Sequence, residues 1–208
     1  MTRLSIEHHV AEFPPEAVVA WAVGLMLGPF DIVGGIHWAQ TFAMPGTFSP
    51  QGIRILERTI EQLEDNRSIV DDPDLHEAIQ RISAPLVEFV SVAKEIRNWE
   101  RTAIPSALRT AHTHEVESRG PMHPEWATNP DFWRLMNRST AACHRYIDSL
   151  DFAIPAIQRI MAAAGSDLYR QQIERVISQA PDFRVALVEG YEELIKRGAA
   201  GQAGLPSG

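Results

Sequence analysis

Seven apolar residues, Leu75, Ile79, Ile82, Leu86, Phe89, Ala93 and Ile96, recur at alternating steps of four and three. That spacing lines one side of an α-helix, whereas on a strand the same residues would scatter over both faces. A row of this kind has to be covered by other helices, so the stretch predicts a long bundle helix reaching about Arg101. Pro85 falls inside the row and is expected to bend it, because proline has no N–H for the carbonyl four residues earlier.

The rest of the chain follows the same period. Pro14 and Pro15 suit the entry to a helix over about Glu16–Leu27, which Gly28 and Pro29 break. Asp31 can cap a second helix, about Ile32–Ala43, weakened by Gly34 and Gly35. Ser49 and Pro50 read as cap and first turn of a third, ending near Arg67, with Ile53, Leu56, Ile60 and Leu63 as its apolar side. Asp72 and Pro73 repeat that signal before the long row. A further helix is expected over about Pro105–Glu117, then a loop, "SRGPMHPEWATNP".

Asn129 and Pro130 open another strong helix, buried through Phe132, Met136, Cys143, Ile147 and Leu150, with a bend expected near Asp151. Gly165 reads as its C-terminal cap and Ser166 as the next start. "DLYRQQIERVISQA" and "DFRVALVEGYEELIKRG" read as two last helices separated at Pro181. No strand alternation competes. The expected fold is all-α: one domain over residues 1–197, a bundle of about seven to eight helices, and a disordered tail over 198–208. Length and all-helical pattern are shared by haem-oxygenase-like folds and by many other bundles, an analogy of architecture.

Charge and composition narrow the function. A net charge of −8, with no run of Lys and Arg, argues against a nucleic-acid partner. The single cysteine, Cys143, allows no internal disulfide and no multi-thiolate metal site. It fits a reducing, cytoplasmic setting, and the N-terminus does not read as a signal peptide. The most apolar stretch, Ala17–Phe30, has 14 residues, short of the roughly 20 that span a bilayer. Stable membrane insertion is therefore not expected. The stretch reads as buried helix, or as a surface for homo-oligomer or partner contact.

Four groups of residues carry candidate chemistry. In "RTAHTHEVESRGPMHPEW", His112 and Glu115 are three apart and share a helix face. Together they could give two ligands to iron, manganese or zinc, with His123 returning from the loop. His112 and His114 point about 200° apart and cannot both ligate from a regular turn. The ordinary alternative is a polar helix end.

Glu88 and Glu95, seven apart beside the apolar row, form the second group with Arg97 and Glu100. They could act as acid–base or substrate-holding groups, or make salt bridges on a solvated flank. The Glu-x-x-His pair of di-iron bundles is missing, which disfavours a ferritin-like centre. His144 is the third candidate ligand, with Asp148 four residues on as an orienting carboxylate. Cys143 beside it reads as a small core residue. The fourth is His37 with Trp38, in "GGIHWAQTF", whose small residues, imidazole and aromatic ring suit a flat cofactor such as haem. A neutral core histidine is the plain alternative.

Three function classes follow. One is a haem- or iron-dependent oxidoreductase acting on a small-molecule substrate in a bundle pocket. Its catalytic candidates are Glu95, Arg97, Glu100 and His112, its cofactor candidates His37 and Trp38, and its metal candidates His112, Glu115 and His144. The second is a non-catalytic helical protein that oligomerises or binds a partner, and the third a cofactor-free acid–base enzyme.

Overall fold

The long apolar row is buried along its whole length: all seven of its side chains lie in the core. The computed structural model describes residues 23–30, 33, 50–67, 72–105, 120–163, 165, 167 and 169–203. Their regular structure is helical, with no strand among the described residues. The helices are α1 (Pro50–Arg67), α2 (Pro73–Ala103), α3 (Pro124–Ala127), α4 (Pro130–Ala163) and α5 (Arg170–Ala203). Residues 23–27 are also helical.

Local signals set where α2 begins. The Asp72 carboxylate accepts the Leu75 N–H at 3.0 Å, and Pro73 occupies the first turn, where its missing N–H costs nothing. Pro85 sits inside α2 without ending it. Burying the six larger side chains of the row contributes on the order of 10 kcal/mol, against about 3 kcal/mol for an internal proline.

The same competition corrects one boundary drawn from a proline. α5 runs unbroken past Pro181, and α4 likewise continues through Asp151 and Pro155 as one helix. In α5 the buried residues Ile173, Ala180, Leu187, Leu194 and Gly201 repeat every seven positions on both sides of Pro181. Pro181 itself faces solvent, so the helix continues and keeps the whole row on the core. α5 also runs beyond residue 197, to Ala203. Gly198 and Gly201 lie buried there because a Cβ at either would run into Trp133 or into the Met122 carbonyl.

The expected loop after residue 117 contains α3, capped by His123, whose ring Nδ1 accepts the Glu125 N–H at 3.4 Å. Arg197 of α5 pins this segment: its Nε donates to Gly120 O at 2.7 Å, and its carbonyl accepts Met122 N–H at 3.0 Å. Around α3, Trp99, Trp126 and Phe132 pack with centroids 5.1 to 5.9 Å apart, and Trp133 joins through Phe132 at 5.2 Å. Trp126 is fully enclosed, so this cluster is core. Gly165, φ +64°, follows the end of α4 and adopts the left-handed turn expected of it.

The long helices alternate in direction. On α2 and α4, Asp74 meets Arg159, Arg81 meets Phe152, and Glu95 meets Arg138. One number rises by seven or fourteen as the other falls by the same amount, so the two helices are antiparallel. On α4 and α5, Arg184 meets Asp151, Tyr191 meets Asn137, and Gly198 lies against Trp133, again antiparallel.

Lys94 of α2 pairs with Glu57 of α1. A parallel arrangement would put Arg67 about 45 Å from Pro73, and six residue steps reach only about 20 Å, so α1 is antiparallel too. The four long helices form a bundle around one contiguous core. Val23, Met26, Leu27, Phe30 and Val33 belong to that core, with Phe30 against Phe183 at 5.5 Å and Met26 O accepting Tyr146 Oη at 3.4 Å. The described part of the apolar stretch beginning at Ala17 is therefore packed into the core, as its buried-helix reading expects.

Candidate functional site

Charge gathers on one flank of the α2–α4 pair. Nη1 of Arg138 donates to both oxygens of Glu95 at 2.8 and 2.7 Å, and its Nε and Nη2 reach Glu88 Oε1 at 3.2 and 2.9 Å. The hydrogen bonds from Glu95 and then Glu88 hold the Arg138 guanidinium above its ordinary pKa, so it stays charged. Arg134 stands 3.7 Å from Glu95 and 3.3 Å from Asp131. Glu88 and Glu95 thus share one cation across the seam, as the salt-bridge alternative expects.

One heptad further along lies an open groove of about 480 Å³ bordered by Arg81, Pro85, Glu88, Arg145, Asp148 and Ser149. Most of its groups are engaged. Arg81 is bound to Glu77 at 2.6 Å and lies 3.9 Å over the Phe152 ring. Asp148 faces Arg184 at 3.5 Å, and Ser149 Oγ donates to the Tyr146 carbonyl at 2.5 Å. Along this groove the described side chains form structural ion pairs and local hydrogen bonds, and the groove itself is open to solvent.

The sequence-derived site residues fall as follows. Glu95 is bound to Arg138, Arg97 is half-buried on α2, and Glu100 is buried near the end of that helix. Glu95 and Arg97, two residues apart, project about 200° from one another around the axis. His144 is half-buried beside the fully buried Cys143. Its expected orienting carboxylate, Asp148, turns to Arg184 of α5, and no hydrogen bond joins His144 to Asp148. Burial pushes the Cys143 thiol far above its usual range, as a core residue requires. His37, Trp38, His112 and Glu115 lie outside the described residues. Among the described residues, no three or more His, Cys, Asp or Glu side chains stand together as a metal site, and no helix is long and apolar enough to cross a membrane.

A second surface escaped the sequence reading. Ile177, Val185, Val188 and Ile195 project from the outer face of α5, exposed by 43%, 56%, 49% and 45%. At 100° per residue they fall within an arc of about 80°, with the exposed Pro181 among them. The signal was present: residues 181, 185, 188, 192, 195 and 199 step by four and three, a second row beside the buried one. Splitting the segment at Pro181 hid it. No protein-family model, curated protein or solved structure matches this chain.

Proposed function

We propose that the protein is a non-catalytic helical module that docks a partner along the outer face of α5. The row of four half-exposed aliphatic side chains carries this reading. Single exposed hydrophobics are common, but an aligned row along five helical turns is the form in which helices receive other helices. Covering what remains exposed yields roughly 1 kcal/mol per side chain, about 4 kcal/mol in all. A micromolar complex needs about 8 kcal/mol, so charge around the row has to supply a comparable share.

The docking reading expects Val185→Asp with Val188→Asp to leave the thermal midpoint within about 3 °C, since both side chains already face water. The same pair is expected to remove binding of helical peptides, read by fluorescence anisotropy. A large loss of stability would instead make these residues part of the core.

The oxidoreductase reading, with haem or iron in a haem-oxygenase-like bundle, rests on His37, Trp38, His112, Glu115 and His144. Its test is an absorption spectrum and elemental analysis of the purified protein. A Soret band, or stoichiometric iron, manganese or zinc, would displace docking as the primary role.

A further inference from the structure

We infer that the occupant of the α5 face is a cationic amphipathic helix; this deepens the docking reading above and rests on it. The argument is the charge around the row. Glu174 and Glu192 lie within the arc of Ile177, Val185, Val188 and Ile195, and Asp182, Glu189 and Glu193 lie on its solvent edge. All five carboxylates are exposed, and no cation of the described residues pairs with them. Between Ile177 and Ile195 the single basic residue is Arg184, whose guanidinium is held by Asp151 and Asp148 of α4; just outside those bounds the exposed Arg175 and Lys196 share the solvent edge, so five carboxylates there face two cations. The other edge of the row closes onto α4, where Asp148 and Asp151 are themselves exposed. An apolar strip about 27 Å long is thus bordered on its solvent side by exposed carboxylates and on its α4 side by the ion pairs of Arg184 with Asp148 and Asp151.

This border selects among occupants. A second copy of the chain would set its own carboxylates against these, within a molecule of net charge −8, and like charges so placed are repulsive. A helix of about five turns, with Leu or Ile along one side and Lys or Arg flanking them, meets both features. Its apolar side covers Val185, Val188 and Ile195, and its cations reach Glu189, Glu192 and Glu193. Such a complex is weak, fast to form and sensitive to salt.

Two synthetic amphipathic peptides of about five turns, with Leu on one side and either Lys or Glu on the flanks, provide the probes. Binding is measured by fluorescence anisotropy to the full chain and to a Val185→Asp/Val188→Asp variant whose circular dichroism and melting match the wild type. The Lys peptide is expected to bind at least about ten-fold more tightly than the Glu peptide, and to weaken as NaCl rises from about 50 to 500 mM. The variant is expected to lose about ten-fold or more in affinity for the Lys peptide although it carries two additional negative charges. That loss separates seating on the strip from general attraction to an acidic protein.

Equal binding of both peptides, or Lys-peptide binding that the variant retains, overturns the inference. If neither peptide binds and the wild type sediments as a dimer that the variant dissolves, the occupant is a second copy, and the docking reading stands without this one. If neither binds and both proteins are monomers, both readings fall.

Discussion

Cys143 shows how much one position can state about its surroundings. It occupies the buried row of α4 with no exposed surface, and loss of hydration holds its thiol neutral far above the ordinary range. A raised folded pKa places the stabilising effect below the unfolded value, about 8.5, and removes it as pH climbs above that point. Global stability is therefore expected to fall by up to about 1.4 kcal/mol per pH unit above about 8.5, and Cys143→Ala to flatten that slope. Urea titrations at several alkaline pH values check this. Equal slopes in both proteins would mean that the thiol ionises in place.

At the scale of the element, three of the four long helices, α2, α4 and α5, each contain an internal proline, and none ends there. Pro85 packs into the core, whereas Pro155 and Pro181 face solvent. Replacing Pro181 restores the N–H that the Ile177 carbonyl lacks and removes a ring from the turn below. The gain, up to about 3 kcal/mol, is offset by about 1 kcal/mol of entropy returned to the unfolded chain. Pro181→Ala is therefore expected to stabilise the protein by about 2 kcal/mol, read as a higher denaturant midpoint with an unchanged slope. A lower midpoint would show that α5 needs its proline geometry to follow α4. Pro181 also explains the boundary misplaced within α5. Proline chemistry is local and visible in sequence, while the burial that outweighs it depends on a partner helix many residues away.

For the whole molecule, the arrangement turns on one antiparallel register between α2 and α4. In it Arg138 serves Glu88 and Glu95 together, and Asp74 finds Arg159 at the far end. Arg138→Met leaves two carboxylates, two turns apart on the same half-exposed flank of α2, without their shared cation. It is expected to cost about 1 kcal/mol at low ionic strength, with most of the deficit gone near 1 M NaCl or on adding Glu88→Gln and Glu95→Gln. A neutral Arg138→Met at low salt would contradict the register.

Much of this was open to reading in the chain itself. Asp72 with Pro73, the seven-residue row of α2, and Gly165 after α4 act through neighbours three or four positions away, and those neighbours are fixed by the chain. Helix type, several ends and the identity of the buried faces follow from that. Which charge meets which was not open in the same way. Glu95 and His144 each looked like candidate chemistry, and only the packing of α2, α4 and α5 decided that Glu95 binds Arg138 and that Asp148 turns from His144 to Arg184. It likewise decided that of two apolar rows on α5 one is enclosed and the other left to water. A sequence carries periodicity, which sets what a helix can bury, but the face that stays uncovered depends on how many neighbours the assembled bundle brings to it.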